Sequence, residues 1–153
     1  MDWKKQVGAL PVRRDKSGAL RVLLVTSRET RRFVIPKGWP WPGVKDWKAA
    51  AEEAREEAGI RGRISKKPVG TYTYDKRRAS DIVPVRVQVF LLVVEEEMDV
   101  WPESNERERR WYTPVNAAAS VDEPELAELI LKIADTTRQT RKPRKKVSGK
   151  AKG

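Results

Sequence analysis

Residues 52–60, EEAREEAGI, carry four glutamates within six positions and end on a glycine before an isoleucine. On an α-helix, at about 100° per residue, Glu53, Glu56 and Glu57 share one arc of roughly 100°. Trp47, Ala50, Ala51, Ala54 and Ala58 fall on the other side. The spacing predicts a helix with a small-residue packing face and a carboxylate face. Like charges at these spacings repel, so the arrangement costs stability unless water, a counter-charge or a cation relieves it. A divalent cation is one answer, and an ordinary solvated acidic face is the other.

The rest of the composition restricts the chemistry available to such a cluster. The chain has no histidine and no cysteine. That removes disulfides, thiolate chemistry, zinc–thiolate sites and the commonest general base. Catalysis would have to run on carboxylates, lysine, tyrosine or hydroxyls, and a metal site on oxygen, which favours Mg²⁺ or Mn²⁺ over zinc. With 153 residues, 39% of them hydrophobic, one domain with a real core is expected. No apolar run approaches the roughly 20 residues of a membrane span. The opening MDWKKQVGAL lacks the apolar centre of a signal peptide, so a cytoplasmic protein, monomeric and without membrane contact, is expected.

Charge is unevenly spread. Residues 138–153, RQTRKPRKKVSGKAKG, hold eight Lys/Arg and no acid, so residues 1–137 keep 25 cations against 22 acids. The expected organisation is a folded domain over 1–137 and a disordered basic tail over 138–153. Such a tail either contacts nucleic acid or another polyanion, or serves only as a solvated appendage.

The elements that would position the acidic helix are legible in outline. VGALPV (7–12) and LRVLLVTS (20–27) read as strands joined by a polar turn, and RFVIP (32–36) as a third. GWPWPGVKD (38–46) is a Pro/Gly-punctuated loop, with Asp46 as N-cap of a helix over about 47–58 and Gly59 as its stop. ISKKPVGTYTY (64–74) and VPVRVQVFLLVVEEE (83–97) read as two longer strands, the second alternating Val85, Val87 and Val89 with Arg86 and Gln88. RRWYT (109–113) adds a strand and DEPELAELILKIADTT (122–137) an amphipathic helix. The fold class is α/β, a mixed sheet between helices.

The segment PKGWPWPGVKDWKAAAEEAREEAGI resembles the signature of the Nudix hydrolases, Gly-x5-Glu-x7-Arg-Glu-(apolar)-x-Glu-Glu-x-Gly-(apolar). Gly38, Glu53, Ala54, Glu56, Glu57, Gly59 and Ile60 match it with the spacing intact. Val44 stands in place of the first Glu, and Glu52 in place of the Arg. In the family that Arg holds a catalytic Glu through a salt bridge; here Lys48, four residues before Glu52, is a partial substitute without bidentate geometry. VTSRETRRFVIPKG, VRVQVFLLVVEEEMDVWPE and ERERRWYT extend the resemblance to one subgroup, the diphosphoinositol polyphosphate phosphohydrolases, over roughly residues 7–134.

The resemblance implies an α/β/α Nudix fold and Mg²⁺-dependent hydrolysis of a phosphoanhydride in a small polyanionic substrate. It implies Glu53 and Glu57 as metal ligands, a backbone carbonyl of Lys37 or Gly38 beside them, and Glu56 as proton acceptor for the attacking water. A polyphosphate site also wants convergent cations, and Arg28, Arg32, Lys37, Lys76, Arg77 and Arg78 are the candidates. Trp111 is expected to pack on the sheet, whereas Trp39 and Trp41 can wall the pocket or stack on a nucleobase. Diphosphoinositol and dinucleoside polyphosphates are the leading substrates. An RNA 5′ pyrophosphohydrolase, or a non-enzymatic module binding RNA or another polyanion, is the alternative.

Overall fold

A computed structural model describes the backbone of residues 2–151 and the side chains of residues 2–137. In chain order the elements are β1 (Lys4–Arg14), β2 (Leu20–Thr26), β3 (Phe33–Val34), β4 (Lys37–Gly38) and α1 (Asp46–Ala58). There follow β5 (Ile60–Ile64), β6 (Gly70–Arg77), β7 (Ile82–Glu97), β8 (Arg109–Tyr112), α2 (Pro114–Ser120) and α3 (Pro124–Ala151).

All strands join one mixed sheet ordered β3-β2-β1-β7-β5, with β4 also on β1, β6 on β7 and β8 on β2. The β1–β7 pair is parallel and the other pairings are antiparallel. The reason β7 sits centrally is visible in its sequence. Val83, Val85, Val87 and Val89 send one face into a core shared with Ala117, Leu126, Leu129 and Ile130 of α2 and α3. Past Val89 the other face becomes apolar too: Leu92 and Val94 pack with Ala54 and Ala58 of α1, and Phe90 with Ala49 and Ala50. Period-two alternation in β1 and β2 divides side chains in the same way. Leu10, Val12, Val22 and Leu24 face α2 and α3; Ala9, Leu23 and Val25 face α1. The product is an α/β/α sandwich. Full burial of each large aliphatic side chain contributes about 1.5–3 kcal/mol. The small alanine face of α1 lets the helix lie close to the sheet, and its carboxylates are therefore held at short range from the strand ends.

Three local expectations are corrected, and one further helix, α2, was not predicted. Asp46 is the first residue of α1, not its cap: Lys45 occupies the N-cap, and the Asp46 carboxylate instead accepts from Lys5. The predicted strand over 64–74 is two strands, β5 and β6, separated by Ser65–Val69, because Lys66-Lys67-Pro68 interrupts it. Helix α2 carried no long apolar period; it is set by Thr113, whose Oγ1 accepts from the Asn116 N–H at 3.1 Å, with Pro114 in the first turn. Helix α3 does not end at Thr137, since its backbone runs to Ala151. The expected tail therefore falls on residues whose side chains lie outside the described set. No helix among the described residues is long and apolar enough to cross a membrane.

Gly59 ends α1 in the left-handed region, φ +66°, and its N–H returns to the Arg55 carbonyl at 3.0 Å. A Cβ there would also lie 2.7 Å from the Trp101 ring. Gly43, at φ +74°, has nothing within 4 Å of the same position. Both positions carry the left-handed penalty of about 1–2 kcal/mol for alanine, but only Gly59 adds a steric one. Gly59→Ala is expected to lower unfolding free energy by about 2–3 kcal/mol and Gly43→Ala by about 1 kcal/mol. Chemical denaturation of the two variants checks the difference.

Candidate active site

The last carbonyls of a helix lack intrahelical partners, and those of α1 are collected by the segment after β7. Trp101 Nε1 donates to the Glu57 carbonyl at 3.0 Å, and the Glu103 N–H to the Glu56 carbonyl at 3.1 Å. Arg109 donates to the Ala58 carbonyl at 2.8 Å while its guanidinium lies 4.1 Å from the Trp101 ring centroid. A cation at this helix end also complements the macrodipole. These contacts fix both the last turn of α1 and the loop that faces it.

Inside that frame sits Glu57, a buried carboxylate. Its Oε1 accepts from the Lys37 backbone N–H at 3.2 Å, and its Oε2 lies 3.6 Å from Arg107 Nη2. Arg107 is itself nearly buried and spans three elements. It donates through Nε to Glu103 at 2.6 Å and through Nη1 to the Thr26 carbonyl at 3.0 Å. Glu53 lies one turn earlier on the same face of α1, and its charge adds to the forces that raise the Glu57 carboxyl. The Glu53 carboxylate lies directly over Gly38, where a Cβ would overlap it. The glycine of the motif is there because a carboxylate needs the space. Burial pushes the Glu57 carboxyl up to about 8, against the opposing pull of Arg107 and Lys37. Burial likewise raises Glu53 and brings the Lys37 ammonium down to about 8.

Lys37 and Gly38 were expected in a loop with a carbonyl free of any ladder. They form β4 instead, with Val7 opposite Gly38 and Gly8 opposite Lys37. The Ala9 N–H donates to the Pro36 carbonyl at 3.0 Å. Antiparallel ladders alternate bonded and non-bonded pairs, so Gly8–Lys37 is the non-bonded pair. Both backbone polar groups of Lys37 then point away from β1, as its N–H on Glu57 shows. Of the two carbonyls proposed beside the metal, the Lys37 carbonyl is the one the ladder leaves free.

These groups line one wall of a cleft of about 640 Å³. Predicted Glu53, Glu57, Lys37, Gly38, Arg28, Arg32, Lys76, Arg77 and Arg78 all line it, joined by Glu103 and Arg107. The cations are not equivalent. Arg28 is paired with Glu106 at 3.2 Å, Arg32 with Glu123 at 2.8 Å, and Arg78 with Asp81 at 2.7 and 2.9 Å. Lys37 Nζ lies 4.9 Å from the Tyr74 ring centroid, and the Tyr74 hydroxyl donates to Gln6 at 2.7 Å. Burial pushes that hydroxyl up to about 12. Lys76 and Arg77 have no ion pair among the described residues, and they are the cations freest to meet a new anion.

Glu56, expected as the proton acceptor, is not among the lining residues; its carboxylate lies 3.7 Å from Arg55. Glu103 also lines the cleft, with Glu29 and Asp75 as its further acidic residues, and was missed by the sequence reading. Its only signals are the i+4 spacing to Arg107 and the neighbouring Trp101. Glu52 is paired with Arg55, Nε to carboxylate at 2.6 Å, whereas Lys48 lies over Trp47, 5.4 Å from the ring centroid. Arg55, not Lys48, therefore neutralises Glu52. The guanidinium that approaches Glu57, at 3.6 Å, is that of Arg107, from outside the motif.

Residues 3–133 match the model of the NUDIX domain family. The chain belongs to the Nudix family. It is 33% identical over 103 residues to Nudix hydrolase 13, mitochondrial, of Arabidopsis thaliana, covering 63% of this chain and 51% of that one. It is 29% identical over 112 residues to diphosphoinositol polyphosphate phosphohydrolase 3-alpha of Mus musculus, covering 72% and 64%. It spans about half the length of four Arabidopsis relatives and 72% of a fifth, Nudix hydrolase 16, mitochondrial. Among solved structures, a C. elegans Ap4A hydrolase binary complex superposes with TM-score 0.67 at 22% identity, covering 89% of this chain and 98% of that one. The likeness confirms the Nudix fold of the sheet and helices.

The donor set fits a hard divalent cation. Burial raises both carboxyls and Glu53 adds to the rise at Glu57, so a cation there would relieve two desolvated, mutually repelling groups. Among the described residues no three acidic groups already enclose a metal position. Glu53 and Glu57 would hold the ion with the Lys37 carbonyl, leaving its other positions to water and substrate oxygens, as Mg²⁺ prefers. Because Glu57 holds its proton up to about pH 8, cation binding at pH 7 must displace it. Titration calorimetry in buffers of different ionisation heat is expected to show release of about one proton per Mg²⁺ at pH 7. Release should fade by about pH 9 and be absent in Glu57→Gln.

Proposed function

We propose that this chain hydrolyses a phosphoanhydride bond in a small polyphosphorylated substrate with the help of Mg²⁺ or Mn²⁺. The observation that carries the reading is one cleft lined both by Glu53, Glu57 and Glu103 and by Lys76 and Arg77, which have no ion pair among the described residues. Cleaving a diphosphate demands both signs of charge. Cationic side chains bind the non-reacting phosphates, and a bound divalent cation supplies charge neutralisation and a more acidic water. Glu53 and Glu57 hold that cation, while Arg107 keeps Glu57 and Glu103 in fixed positions. Glu103 accepts the proton from the attacking water, in place of Glu56, because it lines the cleft.

The relatives support the substrate class in a coarse way. One is a diphosphoinositol polyphosphate phosphohydrolase and one fold neighbour an Ap4A hydrolase. Diphosphoinositol and dinucleoside polyphosphates are accordingly the leading substrates for this chain. The experiment is phosphate release with Mg²⁺ over both, together with inorganic polyphosphate and triphosphorylated RNA. Activity on a small substrate that stops with chelator is expected. No release from any of them, with tight RNA binding instead, would replace the enzyme by a polyanion-binding module.

Substitutions refine the assignment. Glu57→Gln is expected to raise the Mg²⁺ concentration needed for half-maximal rate at least tenfold. Removing a general base costs about 10²–10⁴-fold in turnover. Glu103→Gln is therefore expected to lose about 100-fold in kcat, with Glu56→Gln within a few-fold of wild type. The opposite ranking would restore Glu56 as proton acceptor. Lys76→Ala combined with Arg77→Ala should raise KM more than Arg78→Ala, whose guanidinium is already paired with Asp81. Truncation after Thr137 is expected to leave small-substrate turnover within a few-fold.

A further inference from the structure

Helix α1 covers only part of its side of the sheet. Phe90, Leu92 and Val94 of β7 pack against its alanines, and its first residue, Asp46, pairs with Lys5 of β1. Alternation puts Arg86 on the same face of β7 as Phe90, beside Lys5 in the parallel β1–β7 ladder. Arg86 is exposed although β7 is flanked there by β1 on one side and β6 on the other. An interior strand shows an exposed arginine where no helix lies over it. The Arg86 guanidinium is 5.2 Å from the ring centroid of Trp3, a residue 36% exposed just before β1. Nearer α1, Trp47 packs against Ala49, Ala50 and Phe90, while Lys48 and Lys66 lie 5.4 and 5.5 Å from its centroid.

The cations of this face keep their charge. Elsewhere on the sheet carboxylates meet the guanidiniums: Arg13 and Arg109 face Glu97, and Arg63 faces Glu95. Here Lys5 takes Asp46, and Lys48, Lys66 and Arg86 have no ion pair among the described residues. An indole holds a cation through its ring quadrupole without cancelling the charge. The N–H donors of all three therefore stay available to an anion. None of these residues lines the cleft.

We propose that this open sheet face binds a single strand of nucleic acid, outside the cleft and independently of the reaction there. Phosphates of the strand meet Lys48, Lys66 and Arg86, and bases stack on the exposed parts of the Trp3 and Trp47 rings. A positive surface that follows a phosphate backbone, set with aromatic rings that accept any base, binds a strand without reading its sequence. The three cations come from three elements, α1, the β5–β6 connection and β7, so they are spread over the face and not bunched at one point. An anionic bilayer is a polyanion of comparable extent, but it wants an apolar face that sinks past the cations. Trp47 is instead half-buried and seated on the core.

The probe is a fluorescent oligouridylate, and its anisotropy is followed with the full chain in chelator over a series of salt concentrations. One variant combines Lys48→Ala, Lys66→Ala and Arg86→Ala. A second combines Lys16→Ala, Arg61→Ala and Lys132→Ala, which removes the same charge from other surfaces. For single strands log K falls with log salt by about 0.7 per neutralised phosphate, so the first variant is expected to lose about 2 from that slope. Its affinity at low salt should fall about tenfold or more, with the second variant within a few-fold of wild type and its slope unchanged. Trp3→Ala removes a ring and no charge, so it should weaken binding about fivefold at every salt concentration without moving the slope. No binding by the wild type, or the same loss in both triple variants, would overturn the proposal. So would an unchanged oligouridylate slope in the first variant beside lost binding to phosphatidylserine vesicles, which would give the face to a membrane. Chelator stops any turnover, so the outcome stands whether or not the phosphate-release panel finds a substrate.

Discussion

A carboxylate taken out of water is the constraint around which this molecule is arranged. Glu57 belongs to the packed turn of α1, where burial opposes its charged form and pushes its carboxyl up to about 8 despite the cations beside it. Its partners come from two places: the Lys37 N–H from β4 and the Arg107 guanidinium from the segment before β8. Each partner is anchored in turn. Lys37 is turned toward α1 by the alternation of the β1–β4 ladder, and Arg107 is tied to the Thr26 carbonyl at the end of β2. Trp101 and Arg109 hold the backbone of the same turn. Loosening any of these contacts shifts the carboxylates together.

The opposite wall obeys the same logic with the signs reversed. Arg32 reaches the cleft from the segment before β3 and is held by Glu123, a buried residue at the start of α3. The helix on the far side of the sheet is thereby coupled to a cation of the site. Lys37 contributes to both walls: its N–H serves Glu57 while its ammonium lies over Tyr74. Acidic and basic side chains in one cleft suit the substrate proposed above, which would carry a divalent cation and several phosphates together. Neither wall alone would discriminate such a ligand from a simple polyanion.

Much of this was legible in the residues. The spacing of Glu53 and Glu57, the stop at Gly59 and the valine alternation of β7 each follow from one periodicity, and each is present as expected. The cationic residues Arg28, Arg32, Lys37 and Lys76–Arg78 also converge, because hairpin and strand ends meet over α1 in this fold. What escaped was set by tertiary contact. Glu103 and Arg107 lie in a segment with no regular period, and only docking onto the end of α1 brings them into the cleft. Glu57 was assigned to the carboxylate face opposite the alanines, yet it is buried as Ala50 and Ala54 are. Likewise Lys48 looked like the neutraliser of Glu52 from i−4 spacing, but Arg55 at i+3 reaches further and Lys48 prefers the Trp47 ring.

The central claim is that a cation on the glutamate wall and a phosphate on the basic wall meet in one cleft. Electron–nuclear double resonance on Mn²⁺ bound to the full chain, with a non-hydrolysable methylene-bridged polyphosphate, reads that meeting directly. The account predicts a resolved ³¹P coupling of a directly coordinated phosphate, lost in Glu57→Gln together with the bound Mn²⁺. Mn²⁺ bound with no ³¹P coupling, or bound equally well without Glu57, would contradict it.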